Sequence, residues 1–252
     1  MDKVTRRSFV STVGAATVGA ATVVPAAALL PLTAAASAAK TADAAEPSSK
    51  PTYLFFNAEE VLFIEAACER LIPADEAGPG AIGAGVCSYI DRQLGGAWGA
   101  GERLYRSGPW PAGTPSQGYQ LPFTPAELFH TALRAIHRDH ETRGTAFNEL
   151  PGDAQDAYLK SLESGAGDLD GVPSAVFFDA LLQMTIEGFF SDPVYGGNRG
   201  MAAWRMIGFP GAYADYFESV DRHGVKFVRE PLSLAEDAQH HIHVHPDIPA
   251  NL

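Results

Sequence analysis

Histidines are the first residues in this sequence to suggest chemistry. His130, His137 and His140 fall in one segment with Asp139 and Glu141. On a helix, spacings of three (His137, His140) and four (His137, Glu141) share a face. Two such imidazoles begin a zinc site, but a site takes three or four ligands, and the sequence names no others. A solvated helix face is the ordinary reading of such a cluster. The second group is Gln239-His240-His241-Ile242-His243-Val244-His245-Pro246. In an extended chain His241, His243 and His245 point the same way. Neutral imidazoles so placed bind copper, nickel or zinc weakly. The alternative is a polar C-terminal tail lying on the body or on a partner.

Other reactive patterns are incomplete. Asp75 and Glu76 sit in a turn-rich loop without the regular ladder of ligands that calcium needs. Gly196-Gly197-Asn198-Arg199-Gly200 does not run from a strand into a helix and lacks a Lys-Ser/Thr end, so it is not a phosphate loop. It reads instead as a turn needing positive φ. No C-x-x-C-H is present, and two cysteines cannot hold an iron–sulfur cluster. No Ser/His/Asp set stands in a nucleophile context. Glu187, beside Phe189 and Phe190, is either a buried acid or a helix-end carboxylate satisfied by backbone. Cys68 and Cys87 are the only cysteines. They are either a disulfide across one helix hairpin, worth roughly 3 kcal/mol, or two small buried apolar residues.

The elements that position these residues are helices. Asn57-Ala58-Glu59-Glu60 is a capped start, followed by Val61, Ile64, Ala67, Cys68, Leu71 and Ile72 at helical spacing up to Pro73. A second helix is expected over 82–94, with Val86, Tyr89, Ile90 and Leu94 on one face. Residues 95–119 are rich in glycine and proline and carry Trp98, Tyr105, Trp110 and Tyr119. These aromatics either meet a partner or fold back over the core. Thr124-Pro125-Ala126-Glu127 opens a helix running to about Arg143, a further one covers 153–163, and Pro173 starts one that runs into Phe189. No alternating strand precedes Val225. The predicted fold is mostly α: a single-domain, irregular helical bundle with long Gly/Pro-rich loops, following an N-terminal export signal.

The signal is Thr5-Arg6-Arg7-Ser8-Phe9-Val10, with Arg6 and Arg7 as its twin arginines. An uncharged run follows, with A-x-A cleavage sites near Ala36. The expected divisions are a leader over 1–39, a linker over 40–56, a helical domain over 57–222 and an extended His-rich tail over 223–252. The net charge of −12 argues against nucleic acid as a partner. The twin-arginine route exports folded proteins, often with a cofactor in place. The mature sequence has no cofactor site of its own, so the cofactor is expected in a travelling partner.

One stretch stands apart, Glu187 to Gly211, with six glycines and two prolines among its aromatics. Within it Glu187-Gly188, Asp192-Pro193-Val194-Tyr195-Gly196-Gly197-Asn198, Trp204 and Ile207-Gly208-Phe209-Pro210-Gly211 resemble the gluconate 2-dehydrogenase subunit 3 family. Leu71-Ile72-Pro73-Ala74-Asp75, Tyr89-Ile90-Asp91, Gln117-Gly118-Tyr119 and Thr124-Pro125-Ala126-Glu127 agree with it. The resemblance covers roughly residues 57–211. It implies a non-catalytic small subunit in a periplasmic, membrane-associated oxidoreductase complex. In such complexes a large FAD-dependent subunit of the glucose-methanol-choline type oxidises a sugar, sugar acid or polyol, and a multihaem cytochrome c with haem c passes electrons on. The small subunit supplies the export signal read by the twin-arginine translocase and so binds, stabilises and co-exports the flavoprotein. FAD and haem c then belong to the partners, and this chain holds no cofactor. Asp192, Tyr195, Asn198, Arg199, Trp204 and Arg205 are the candidate interface residues, with Tyr195 and Trp204 as aromatic anchors and the arginines facing acidic groups. The competing readings are a self-contained periplasmic metal-binding protein using the His-rich tail, and a ligand-binding module whose pocket is the Glu187 stretch.

Overall fold

The computed structural model describes residues 51–111, 113–114, 120–213, 221–224 and 228–234. The chain divides after Pro51 into two units, and the elements described here lie in the second. Arg6 and Arg7, the first part of the linker, Gln117-Gly118-Tyr119, and His241, His243 and His245 lie outside the described residues.

Among the described residues six α-helices carry the fold: α1 (Ala58–Leu71), α2 (Val86–Leu94), α3 (Pro125–Arg143), α4 (Gly152–Glu163), α5 (Ser174–Phe190) and α6 (Ala202–Ile207). The mostly α architecture expected from the apolar periodicity is what the structure shows. Both capping boxes form. Asn57 accepts from Glu59 N and Glu60 N while the Glu60 carboxylate accepts from Asn57 N at 3.0 Å. Thr124 and Glu127 do the same for α3, with Pro125 in its first turn. The Thr124 amide, donating to Glu127, holds that carboxyl below its usual range.

α2 begins at Val86 rather than at Ile82. Gly85 takes a left-handed backbone (φ 78°), which an α-helix cannot contain, so residues 81–85 form a turn ahead of the helix. A two-stranded antiparallel hairpin, β1 (Asp168–Leu169) and β2 (Val172–Pro173), is absent from the sequence expectation, as is the short helix α6. The hairpin's Asp170-Gly171 turn has φ of 58° and 90°, the backbone of a tight hairpin. Strands of two residues are too short to show alternation.

α5 is the central element and packs against each of the other five helices. Its sequence, SAVFFDALLQMTIEGFF, is apolar around most of its circumference, as a helix surrounded by others must be. Phe177, Leu181 and Phe189 of α5 are buried with Ile64, Ile90, Phe129 and Ile136 from the surrounding helices. Cys68 and Cys87 lie in the same core, both buried and unbonded. In the long loop Trp98 and Tyr105 are exposed and Trp110 is half-buried.

The segment just before α1 is linker by composition, yet residues 54–56 are fixed to the body. The buried carboxylate of Asp91 on α2 accepts three backbone N–H bonds, from Leu54 (2.8 Å), Phe55 (2.9 Å) and Phe56 (3.0 Å). The Phe55 ring stacks on His130 at 4.1 Å, and the Tyr53 hydroxyl donates to Glu65 at 2.7 Å. Asp91→Ala would strand the amides of that segment, at about 3 kcal/mol or more given the cost of each unmet buried donor. We expect a lower urea midpoint and loss of hydrogen-exchange protection at residues 54–56; unchanged protection there would refute the role.

Candidate interaction surface

The Glu187–Gly211 stretch leaves the end of α5 and returns through α6. Asp192 turns the chain. One carboxylate oxygen accepts from Val194 N at 3.0 Å and starts a 3-10 turn over Pro193–Tyr195, and the other accepts from Leu234 N at 2.8 Å. Two glycines then act differently. Gly196 has φ 101°, as the sequence predicts for this turn. Gly197 is not left-handed; it lies so close to the Gly188 carbonyl that a Cβ would overlap it. Asn198 follows with φ 44° and is fully buried. Its Nδ2 donates to Ser191 O at 3.0 Å, and its Oδ1 accepts from Ala203 N at 2.9 Å. One side chain thus ties the end of α5 to the start of α6.

This bracket sorts the predicted interface residues into two sets. Asn198 and Trp204 are interior. The indole Nε1 of Trp204 donates to Phe190 O at 2.8 Å, its ring meets Phe209 edge to face at 5.2 Å, and Gly211 packs against it. Trp204 therefore shapes the surface from beneath and does not stand on it. Tyr195 is 49% exposed and Phe209 45%. Val194, Ile207 and Ile186 are exposed beside them in sequence. Five of the thirteen exposed large hydrophobic side chains among the described residues thus come from residues 186–209, a concentration that marks this region for contact with a partner.

The two arginines are committed within the chain. The Arg199 amide donates to Ala84 O at 3.0 Å, its Nη2 donates to Ser88 Oγ at 3.2 Å, and its stem covers Gly85. Arg205 donates to Gly200 O and lies 3.9 Å from Glu230. Tyr89 donates to Glu187 at 3.4 Å; burial, with the Glu187 carboxylate next, pushes its phenol up to about 12. Glu187 itself is exposed and not a buried acid. Residues 231–234 pack back on this region: Leu232 N donates to Pro210 O at 3.0 Å, and Ser233 is buried. By sequence these residues belong to an extended tail, and no pattern announces their return.

The histidine face of α3 is solvated only in part: His130 and His137 are partly exposed, and His140 is buried. His130 Nδ1 lies 2.7 Å from the buried Glu60 carboxylate. His137 Nε2 is 3.3 Å from both Glu59 and Glu141. His140 is buried, and its Nδ1 donates to Thr145 O at 3.0 Å. A cleft of about 260 Å³ separates α1 from α3 here, with Phe63, Leu133 and Phe147 among its walls and His137 and Glu59 among its polar groups. Among the described residues no three His, Cys, Asp or Glu side chains form a metal-holding group. This geometry suits packing and contact.

With these positions in hand, the sequence profile of the family described as gluconate 2-dehydrogenase subunit 3 matches residues 58–211. The match starts on the first residue of α1, ends on Gly211 and spans all six helices. No curated protein and no solved structure matches the chain.

Two outcomes follow from this placement. Trp204→Ala should lower the stability of the isolated chain by about 3–5 kcal/mol, as for a buried aromatic, whereas Tyr195→Ala should change it by less than about 1 kcal/mol. Urea titrations of both variants check this, and equal losses would overturn the inward–outward division. Burial lowers the pKa of His140 from its ordinary value, with the Thr145 bond opposing. The unfolded chain therefore takes up this proton first, near pH 6.5. The stabilisation is full above about pH 6.5 and is lost as pH falls below it. The urea midpoint should drop between pH 7.5 and 5.5, and the drop should shrink in His140→Phe; identical profiles would contradict the assignment.

Proposed function

The chain belongs to the gluconate 2-dehydrogenase subunit 3 family, and from that membership we propose that it is the non-catalytic small subunit of an FAD-dependent, gluconate 2-dehydrogenase-like complex. A subunit of this family implies a multi-subunit dehydrogenase. In our reading this chain binds and stabilises the large flavoprotein and carries it, folded, through the twin-arginine translocase to the periplasm. A multihaem cytochrome c then links the assembly to the membrane. The observation that carries the reading is the family match over 58–211, which includes the whole glycine-rich stretch. Two features support it. Arg6 and Arg7 open the chain in the twin-arginine pattern. The exposed Val194, Tyr195, Ile207 and Phe209 stand on a segment whose backbone is fixed from within by Asn198.

The division of labour follows physically. A folded partner can be exported only if it stays bound, so the interface must outlast translocation. Apolar and aromatic side chains held on a rigid turn bind without a large ordering cost. In this reading substrate oxidation, the flavin and the haems belong to the partner chains.

The test is co-expression of this chain with an FAD-dependent dehydrogenase subunit from the same genome, with an affinity tag on either one. Both proteins should co-purify, and both should reach the periplasm. Replacing Arg6 and Arg7 together by lysine should leave both in the cytoplasm while they still co-purify. Tyr195→Ala, a half-exposed aromatic at the interface, should weaken assembly by about 2 kcal/mol, roughly 30-fold in Kd. A flavoprotein that never co-purifies, and that reaches the periplasm without this chain, would sink the reading.

A further inference from the structure

Asp170-Gly171 is the one Asp-Gly pair in the sequence, and no Asn-Gly pair occurs. Such a pair is where a polypeptide most readily rearranges its own backbone. Glycine carries no Cβ, so its amide nitrogen is the least hindered nucleophile that can follow an aspartate. The structure puts this pair at the tip of the β1–β2 hairpin, with Asp170 at φ 58° and Gly171 at φ 90°. The Asp170 side chain is 47% exposed, so water reaches it.

Both reacting groups are held. The guanidinium of Arg138 on α3 donates to the Asp170 carboxylate through Nη2. The Gly171 N–H donates to Asp168 Oδ1 at 2.7 Å. One contact holds the carboxyl toward α3, and the other turns the amide toward β1.

From this arrangement we propose that Asp170 is a modification site, an isoaspartate position that Arg138 latches in its normal linkage. The reaction needs only water. When the latch opens, the Gly171 nitrogen attacks Cγ of the protonated Asp170 carboxyl. The N–Cγ bond forms, the amide proton and the carboxyl hydroxyl leave as water, and a five-membered imide results. Water then adds back. Addition at Cγ restores aspartate. Addition at the Asp170 main-chain carbonyl breaks the original peptide bond, leaves a free α-carboxylate and routes the backbone through the side chain. Nothing is oxidised or reduced, and the mass of the chain is unchanged.

The isoaspartyl link adds one methylene to the main chain of a two-residue turn. The pairing of Leu169 with Val172, both buried, cannot keep its register across the longer turn. Beside it Ser174 N donates to Gly167 O at 3.0 Å and Ser174 Oγ accepts from Gly167 N at 3.3 Å, at the first residue of α5. The modification therefore loosens the entry to the central helix. The Arg138–Asp170 pair is exposed on both sides and screened by salt, so the latch opens without unfolding of the chain. The inference stands on the hairpin and α3 and is independent of any flavoprotein partner.

The experiment incubates the full chain in warm neutral buffer. Isoaspartate is followed by isoaspartyl methyltransferase labelling and located by electron-transfer fragmentation of the peptide containing residues 168–173. Label should accumulate at residue 170. Arg138→Ala should accumulate it about two- to fivefold faster, the range expected for loss of a surface ion pair. Arg143→Ala, which loses the Arg143–Asp139 pair on the same helix, should keep the rate of the unsubstituted chain. High salt should speed the unsubstituted chain and leave Arg138→Ala unchanged. In urea above the unfolding midpoint all three chains should react alike. Equal rates for Arg138→Ala and the unsubstituted chain in buffer would overturn the latch. Equal acceleration by Arg138→Ala and Arg143→Ala would overturn it too, as general loosening of α3. Absence of label at residue 170 even in urea would overturn the site. Should Arg138→Ala fail to fold, the salt dependence of the unsubstituted chain still decides.

Discussion

The amide of Asn198 is the constraint on which the glycine-rich surface depends. It is buried in a left-handed backbone and uses both of its ends, donating a hydrogen bond to Ser191 O and accepting one from Ala203 N. Few residues meet these demands together. An aspartate could not donate to Ser191 O, and a glycine would fit the backbone but leave both partners unmet. Around this bracket the chain accepts further strain: Met201, fully buried, also has a left-handed backbone (φ 54°), at a cost of order 1 kcal/mol or more. The gain is a fixed geometry. Trp204 is turned inward to reach Phe190 O, and Tyr195 and Phe209 are left facing out.

A second buried acceptor plays a comparable part at the other end of the described chain. Asp91 gathers three amides of residues 54–56, so the segment before α1 belongs to the packed body. The next residues of α2 and the turn before it touch the 186–211 stretch through Arg92, Ser88 and Ala84. One short helix therefore holds both the entry segment and the candidate surface. Its burial on α5, the helix that packs against all the others, connects both to the core.

Much of this was legible in the sequence, because helix signals are local. The Asn57–Glu60 and Thr124–Glu127 boxes each declare themselves within four residues, and both formed. The turn at Gly196-Gly197-Asn198 was legible in kind, since glycine and asparagine are the residues that tolerate positive φ. What escaped was set by distance along the chain. Nothing near Asp91 announces that amides 35–37 residues earlier will converge on it. His140 lies one helical turn from the half-exposed His137, and only tertiary packing decides that it is buried. Trp204 has the composition of an interface anchor and of a core residue alike; the decision rests on the carbonyl of Phe190, 14 positions away. The hairpin at Asp170-Gly171 was missed for the opposite reason, because its two-residue strands leave no period to read.

The central claim is that the outward face of residues 186–211 is where this subunit meets its flavoprotein. Hydrogen exchange on the isolated chain and on the purified complex tests it most directly. The account predicts that amides at 194–195 and 207–209 exchange more slowly in the complex, while Asn198 and Ala203, already bonded inside, change little. A complex that forms with unchanged exchange at those positions, and with new protection around Trp98 and Tyr105 instead, would contradict it and move the interface to the long loop.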